Sequence, residues 1–142
     1  MARWFNNDET RQVIVVDTSV WIDYFKHGKH IPEIKSLLEQ QRLITNDVII
    51  AELLPIIIHD KKEQIAELLN ALERIPVFVN WNGLIDAQIK CLNNGYNKIG
   101  LLDLMILQTS IEHSVEIFSV DKHFQALGKI FHAKIYKTAN SE

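Results

Sequence analysis

The sequence contains one cysteine, no excess of basic residues and no apolar run long enough to cross a bilayer. An intrachain disulfide is therefore excluded, and Cys91 is expected to pack within a helix. The formal net charge is -3, so any nucleic-acid contact must come from a local patch or through metal ions. The apolar run at 48–58 is interrupted by Glu52 and Pro55, and the N-terminus lacks the apolar core of a signal peptide. We expect a soluble, cytoplasmic protein.

The length and composition indicate one domain with a substantial core. The 142 residues are 47% hydrophobic and 23% charged, which is typical of a single globular domain. No internal repeat or low-complexity segment divides the chain. We expect a polar N-terminal arm at 1–12, a single domain at 13–137 and a frayed tail at 138–142.

Strand-like and helix-like segments alternate along the chain, which predicts a three-layer α/β/α sandwich with a mainly parallel sheet. The predicted strands are 13–16, 43–45, 76–79 and 115–120, with a last edge strand at 134–136. The first predicted helix runs from Thr18 or Ser19 to Gly28, and the second covers 32–41. A third begins at Asn46 or Asp47 and is kinked or interrupted at Pro55. Further helices are predicted over 61–74, 84–92 and 102–113, and a short last helix begins near Lys122.

Two carboxylates lie inside almost wholly apolar runs, Asp103 within 100–107 and Glu52 within 48–54. No Lys or Arg stands in either run. Because burying an unpaired carboxylate is costly, each acid calls for a proton, an ion pair or a bound cation.

Two further acids, Asp17 and Asp121, follow the predicted strands at 13–16 and 115–120. The carboxyl ends of parallel strands share one edge of the sheet, where ligands bind in folds of this type. If these two strands are neighbours, their backbones are about 5 Å apart, and the two acids can share one ion. We expect Asp17, Glu52, Asp103 and Asp121 to meet there.

Oxygen ligands without Cys or His suit Mg²⁺ or Mn²⁺ better than zinc. Such a site can lower the pKa of bound water and counter the charge that develops on a phosphate. The reaction class indicated is metal-assisted phosphodiester hydrolysis.

The four acidic motifs, in this order, resemble those of PIN-domain ribonucleases, and most of all the VapC toxins of toxin–antitoxin pairs. The resemblance covers about residues 13–137. It implies that Asp17, Glu52, Asp103 and Asp121 form the metal-binding and catalytic quartet, and that Ser19 is the hydroxyl near the first Asp. It also implies cleavage of RNA with Mg²⁺ or Mn²⁺, a homodimer, and silencing by an antitoxin that inserts a segment near the acidic pocket. The motif-bearing segments are Val16-Asp17-Thr18-Ser19, Ala51-Glu52-Leu53, Leu102-Asp103-Leu104-Met105-Ile106 and Ser119-Val120-Asp121-Lys122-His123-Phe124.

Each residue also has a plainer interpretation. Asp17 and Asp121 can simply cap helices, and Asp103 can be an acid of a first helical turn. Lys98 and Lys122 could hold RNA phosphates, although solvated surface lysines are the commoner case. Asp23 is left outside the predicted site. The histidines show no ligand-like grouping, and surface roles are expected for His27, His30, His59, His113, His123 and His132.

Two other function classes stay open. One is a non-catalytic PIN-like module that binds RNA or protein without cutting. The other is a phosphotransfer domain with an Asp at a strand end, for which Ser19 is unfavourable in the haloacid-dehalogenase-like case. Trp21 and Trp81 could support an antitoxin or dimer surface, but core packing explains them equally well.

Overall fold

The computed structural model describes residues 12–138, and within them four short strands alternate with seven helices. The strands are β1 (Ile14–Val16), β2 (Leu43–Thr45), β3 (Glu73–Arg74) and β4 (Glu116–Phe118). The helices are α1 (Thr18–His27), α2 (Ile31–Glu39), α3 (Asp47–His59), α4 (Glu63–Ala71), α5 (Trp81–Asn93), α6 (Leu101–Glu112) and α7 (Lys122–Phe131).

The sheet has the order β3-β2-β1-β4, and every pairing in it is parallel. β1 is the centre of the fold, because its three residues Ile14–Val16 are completely buried. A continuous β-branched run of this kind is expected of a strand covered on both faces. The predicted three-layer α/β/α sandwich with a mainly parallel sheet is confirmed.

The chain runs from β1 through β2 to β3 on one side, and then returns to place β4 on the other side of β1. This reversal puts the topological switch point between β1 and β4. The two strands pair in the register Ile14↔Glu116, Val15↔Ile117 and Val16↔Phe118, so their carboxyl ends are level. The neighbouring arrangement that the sequence analysis required for Asp17 and Asp121 is therefore present.

The predicted third strand at 76–79 is wrong. The strand that pairs with β2 is β3, which lies in the segment assigned to the preceding helix, and that helix, α4, already ends at Ala71. The backbone N–H of Ile75 extends this pairing by donating to the carbonyl of Thr45 at 2.9 Å, and the side chain of Ile75 is buried. Pro76 has no N–H to continue a ladder, and Phe78 is 61% exposed. The apolar run thus begins after the pairing is complete.

Other differences concern the ends of elements. Helix α3 continues through Pro55 to His59 as one element, so of the predicted kink or interruption at Pro55 the interruption is excluded. The edge strand expected at 134–136 is a single parallel bridge between Ile117 and Ile135. The predicted arm and tail lie outside the described residues, except for Gln12 and Thr138.

Two expectations about burial and membrane spans can also be compared with the structure. Cys91 is 2% exposed in α5, as expected for a packing role. No helix within residues 12–138 combines the length and the apolar character that a bilayer crossing needs.

Helix α3 provides a test of the core with an internal control. Ile57 is completely buried, whereas the adjacent Ile58 is 63% exposed. Ile57→Ala is expected to lower the free energy of unfolding by about 2–5 kcal/mol, because it removes buried methyl groups and leaves a cavity. Ile58→Ala should change it by less than about 0.5 kcal/mol. Urea denaturation measures both values, and equal effects would contradict the assignment of α3's inner face.

Candidate functional site

The first two predicted acids stand at the carboxyl ends of the paired strands β1 and β4. Asp17 directly follows β1, and its backbone N–H donates to the carbonyl of Phe118, the last residue of β4, at 2.8 Å. Asp121 follows β4 by three residues and precedes α7. The parallel pairing of the strands therefore places both acids at the same edge of the sheet.

Asp17 is held by a network of hydroxyl groups. Its Oδ2 accepts hydrogen bonds from the Ser19 hydroxyl at 2.7 Å, the Ser119 hydroxyl at 2.9 Å and the Ser19 backbone N–H at 3.3 Å. The Ser119 hydroxyl in turn accepts from the backbone N–H of Asp121 at 3.0 Å. Asp17 is only 3% exposed, so these donors offset much of the cost of burying its charge. Ser119, which the sequence analysis missed, couples the two acids.

The plainer interpretation of these acids as helix caps is also correct. Asp17 caps α1 through the Ser19 N–H, and Asp121 caps α7 by accepting from the His123 N–H at 2.8 Å. Capping occupies one oxygen of each carboxylate. Among residues 12–138, no hydrogen bond reaches the second oxygen of either one. A cap and a ligand for a cation are therefore compatible roles.

Glu52 reaches the site from α3. The side chain of Asn46 caps this helix by accepting from the Ile49 N–H at 3.0 Å, which fixes where the helix begins. The Thr18 hydroxyl donates to Oε1 of Glu52 at 2.9 Å. Thr18 is the first residue of α1 and adjoins Asp17, so this hydrogen bond ties Glu52 to the end of β1.

Asp103 is the third residue of α6, and its surroundings raise its pKa from 3.8 to about 6. Burial is the largest cause, followed by the negative charges of Asp17, Asp121 and Glu52, while His123 acts in the opposite direction. The three other predicted acids are thus close enough for their charges to act on Asp103. The structure brings all four together from four separate parts of the chain.

His123 was not predicted to take part in any cluster, and the structure corrects that expectation. Ligand-type atoms of Asp103, Asp121 and His123 all lie within 4.8 Å of one another. The Nδ1 atom of His123 is 3.7 Å from Oδ1 of Asp121. The signal in the sequence was the spacing of two residues between Asp121 and His123 across the start of α7.

The donor set fits a hard or borderline divalent cation. Clustered carboxylates repel one another, and, after burial, the negative charges of Asp17, Asp121 and Glu52 are the causes that raise the pKa of Asp103. Carboxylate oxygens are the ligands that Mg²⁺ and Mn²⁺ prefer, and a cation here would relieve the repulsion. The residues that could hold it are Asp17, Glu52, Asp103, Asp121 and His123.

The other residues considered in the sequence lie outside the group of four acids. Lys98 and Lys122 are exposed, as expected for solvated lysines. Asp23 lies 3.3 Å from His30, measured between Oδ2 and Nε2. The two tryptophans differ, because Trp21 is completely buried while Trp81 is 62% exposed. Of these two candidates, Trp21 belongs to the core and Trp81 is available at the surface.

Comparisons with known proteins agree with this fold. The sequence profile of the PIN domain matches residues 14–130, and the chain belongs to the PIN domain family. A chain of VapBC2 from Rickettsia felis, solved with a DNA fragment from its promoter, is similar with a TM-score of 0.69 at 13% identity, covering 88% of this chain and 98% of that one. A chain of VapBC-1 from nontypeable Haemophilus influenzae gives 0.65 at 19% identity, covering 89% and 98%. A search of curated protein sequences finds no significant match.

The raised pKa of Asp103 makes a prediction about stability. Above pH 6 the folded protein holds an Asp103 charge that the unfolded chain accommodates more easily. In metal-free protein at pH 7.5, Asp103→Asn should therefore raise the free energy of unfolding by roughly 1–3 kcal/mol, since one pKa unit corresponds to about 1.4 kcal/mol.

The sign of the pH dependence follows from the same shift. Between the unfolded pKa of 3.8 and the folded pKa of about 6, the folded state binds the proton more tightly, so lowering the pH stabilises the wild type. The advantage of Asp103→Asn should shrink as the pH falls through 6 and disappear below about pH 4. Urea denaturation of both proteins in chelator at pH 7.5 and pH 5 measures this. An advantage that grows at pH 5 would contradict it.

Proposed function

We propose that this chain is a divalent-metal-dependent endoribonuclease that hydrolyses RNA phosphodiester bonds and acts as the toxin of a toxin–antitoxin pair. The observation that carries the proposal is the convergence of three carboxylates, those of Asp17, Glu52 and Asp121, on Asp103, whose pKa is raised to about 6 by burial and by these three negative charges. Membership of the PIN domain family and similarity in fold to chains of two VapBC structures support it.

The proposed site assigns a role to each acid. Asp17, Asp103 and Asp121 would hold Mg²⁺ or Mn²⁺, and Glu52 would bind it directly or through water. When bound, the cation lowers the pKa of a water molecule and counters the charge that develops on the phosphate. A bound cation would also help a protein with a net charge of -3 to accept a polyanion, because it would offset the negative charge of the carboxylates that face the phosphate.

The neighbouring hydroxyl groups keep these carboxylates in position. Ser19 and Ser119 donate to one oxygen of Asp17, and the other oxygen would bind the cation. Thr18 donates to Oε1 of Glu52, and the Glu52 carboxylate would help to orient the attacking water. Such supporting hydrogen bonds are worth about 10–100-fold in metal affinity or activity where they have been removed from metal sites.

The direct test is cleavage of a mixed RNA pool by the purified, partner-free protein with Mn²⁺ or Mg²⁺. Fragments should form only with metal and should be lost in chelator. Asp17→Asn and Asp103→Asn should lower the rate by roughly 100-fold or more, because each removes a negatively charged ligand. Asp60→Asn is the matched control, since Asp60 is exposed at the end of α3 and its carboxylate contacts His59.

The outcomes separate the proposal from the non-catalytic alternative. Wild-type cleavage by both Asp17→Asn and Asp103→Asn would overturn the site assignment. Absence of cleavage together with absence of Mn²⁺ binding by calorimetry would favour a PIN-like module that binds RNA or protein without cutting.

We further propose a cognate antitoxin as a partner, acting in the cytoplasm. Three apolar side chains flank the acids in sequence and are exposed, namely Leu101 at 43%, Leu102 at 45% and Val120 at 48%. Apolar groups beside a charged pocket suit a protein segment that covers the pocket better than they suit solvent. Both solved structures described above are VapBC structures.

A second copy of this chain is the proposed partner for α5. The residues Trp81, Ile85, Ile89 and Leu92 are each at least 50% exposed and fall on one side of this helix, next to the side that carries the buried Leu84 and Cys91. A contiguous exposed apolar stripe of this kind marks an interaction surface.

The homodimer makes its own prediction. Light scattering of the purified wild type should give about twice the mass of the 16.4 kDa chain. Ile85→Glu should give the monomer mass, because a buried charge without a partner is costly at an interface. Ile58→Glu, on an exposed position of α3, should leave the dimer intact. A wild-type monomer would rule out the α5 interface.

A further inference from the structure

One imidazole lies among the proposed acidic ligands. The side chains of Asp103, Asp121 and His123 each place one ligand-type atom within 4.8 Å of the others, and the His123 Nδ1 to Asp121 Oδ1 distance is 3.7 Å. Donors around an octahedral cation are about 3 Å apart when metal–ligand distances are about 2.1 Å. Only a small side-chain movement separates the observed spacing from that of ligands to one ion.

The fold fixes His123 beside Asp121. Asp121 is the N-cap of α7 and His123 is the second residue of this helix, and the carboxylate of Asp121 accepts from the His123 N–H at 2.8 Å. The helix is anchored by Phe124 and Leu127, which are completely buried. The His123 side chain itself is 39% exposed, so its ring can rotate while its backbone stays in place.

The four acids differ in how many hydrogen bonds their carboxylates accept from the protein. Asp17 accepts three hydrogen bonds on one oxygen, and Glu52 accepts one from Thr18. Among residues 12–138, no hydrogen bond reaches the carboxylate of Asp103, and Asp121 accepts only at Oδ1. Asp103 and Asp121, which accept the fewest hydrogen bonds, are therefore the two acids that lie beside the His123 imidazole.

We propose that His123 supplies a nitrogen ligand to the divalent cation, beside Asp103 and Asp121. The inference rests on the proposed metal-dependent nuclease and specifies its cation. Mg²⁺ binds oxygen ligands almost exclusively, whereas imidazole suits transition metals. A nitrogen ligand therefore biases the site toward Mn²⁺ and against Mg²⁺.

A competing role for His123 is that of a positive charge that offsets the acids without touching the cation. The two roles differ in what replaces the ring. A lysine at this position keeps a positive charge and provides no imidazole nitrogen, whereas an alanine removes both. His59, which is 88% exposed at the end of α3, is the matched control histidine.

The test is pulsed electron paramagnetic resonance of Mn²⁺ bound to the full chain. The wild type and His59→Ala should show modulation from a directly coordinated ¹⁴N nucleus, and His123→Ala and His123→Lys should both lose it. Calorimetric titration should show Mn²⁺ binding weakened about tenfold in both His123 variants, with Mg²⁺ binding changed less than about threefold. Circular dichroism checks that each variant folds.

The outcomes distinguish this inference from the proposed function. If the wild type binds Mn²⁺ without nitrogen modulation, or if His123→Lys keeps the wild-type preference for Mn²⁺, the ligand role of His123 is overturned while the acidic site stands. If the wild type binds neither Mn²⁺ nor Mg²⁺, both proposals fail together.

Discussion

Repulsion among the four carboxylates is the constraint on which the structure of the site depends. Asp17, Glu52, Asp103 and Asp121 are separated in the unfolded chain and come together on folding, and burial together with the three neighbouring negative charges raises the pKa of Asp103 to about 6. An arrangement that raises a carboxyl pKa is unfavourable for the free protein at neutral pH. It persists because the fully buried β1 and its two parallel neighbours fix the edge at which the acids lie.

Helix termini and hydroxyl groups reduce the cost of this arrangement. Asp17 caps α1, Asp121 caps α7 and Asp103 lies in the first turn of α6, so three of the four acids stand at the positive ends of helix dipoles. Ser19 and Ser119 donate to Asp17. Helix capping and cation binding are therefore compatible roles for these acids, because the helix N-termini stabilise negative charge where a cation is proposed to bind.

The charge and the exposed apolar side chains of the surface agree with the proposed site and partners. The protein has no overall positive charge with which to attract RNA, and the lysines considered for phosphate contacts, Lys98 and Lys122, are exposed to solvent. Under the proposed function, a cation bound by the four acids would supply the positive charge that a phosphate requires. The apolar stripe on α5 is the surface proposed for the dimer, and the exposed apolar side chains that flank Asp103 and Asp121 in sequence are the surface proposed for the antitoxin.

The sequence by itself determined the fold class and indicated the four acids as candidate site residues. A charged residue inside an apolar run, such as Asp103 or Glu52, departs from a strong local pattern, and an acid after a buried strand falls at a known edge of a parallel sheet. Local patterns of this kind are written in neighbouring residues and can be detected without a structure.

Only the tertiary structure decided matters that depend on distant partners. The third strand is 73–74 and not 76–79, because β2 pairs with residues 73–74. Helix α4 ends at Ala71, so these residues can form that pairing. Trp21 is buried and Trp81 exposed, although both are tryptophans near helix starts. His123 joins Asp103 across 20 positions of sequence because α6 and α7 start at the same edge of the sheet. Strand register, burial and convergence are set by long-range packing, which no local spacing of residues encodes.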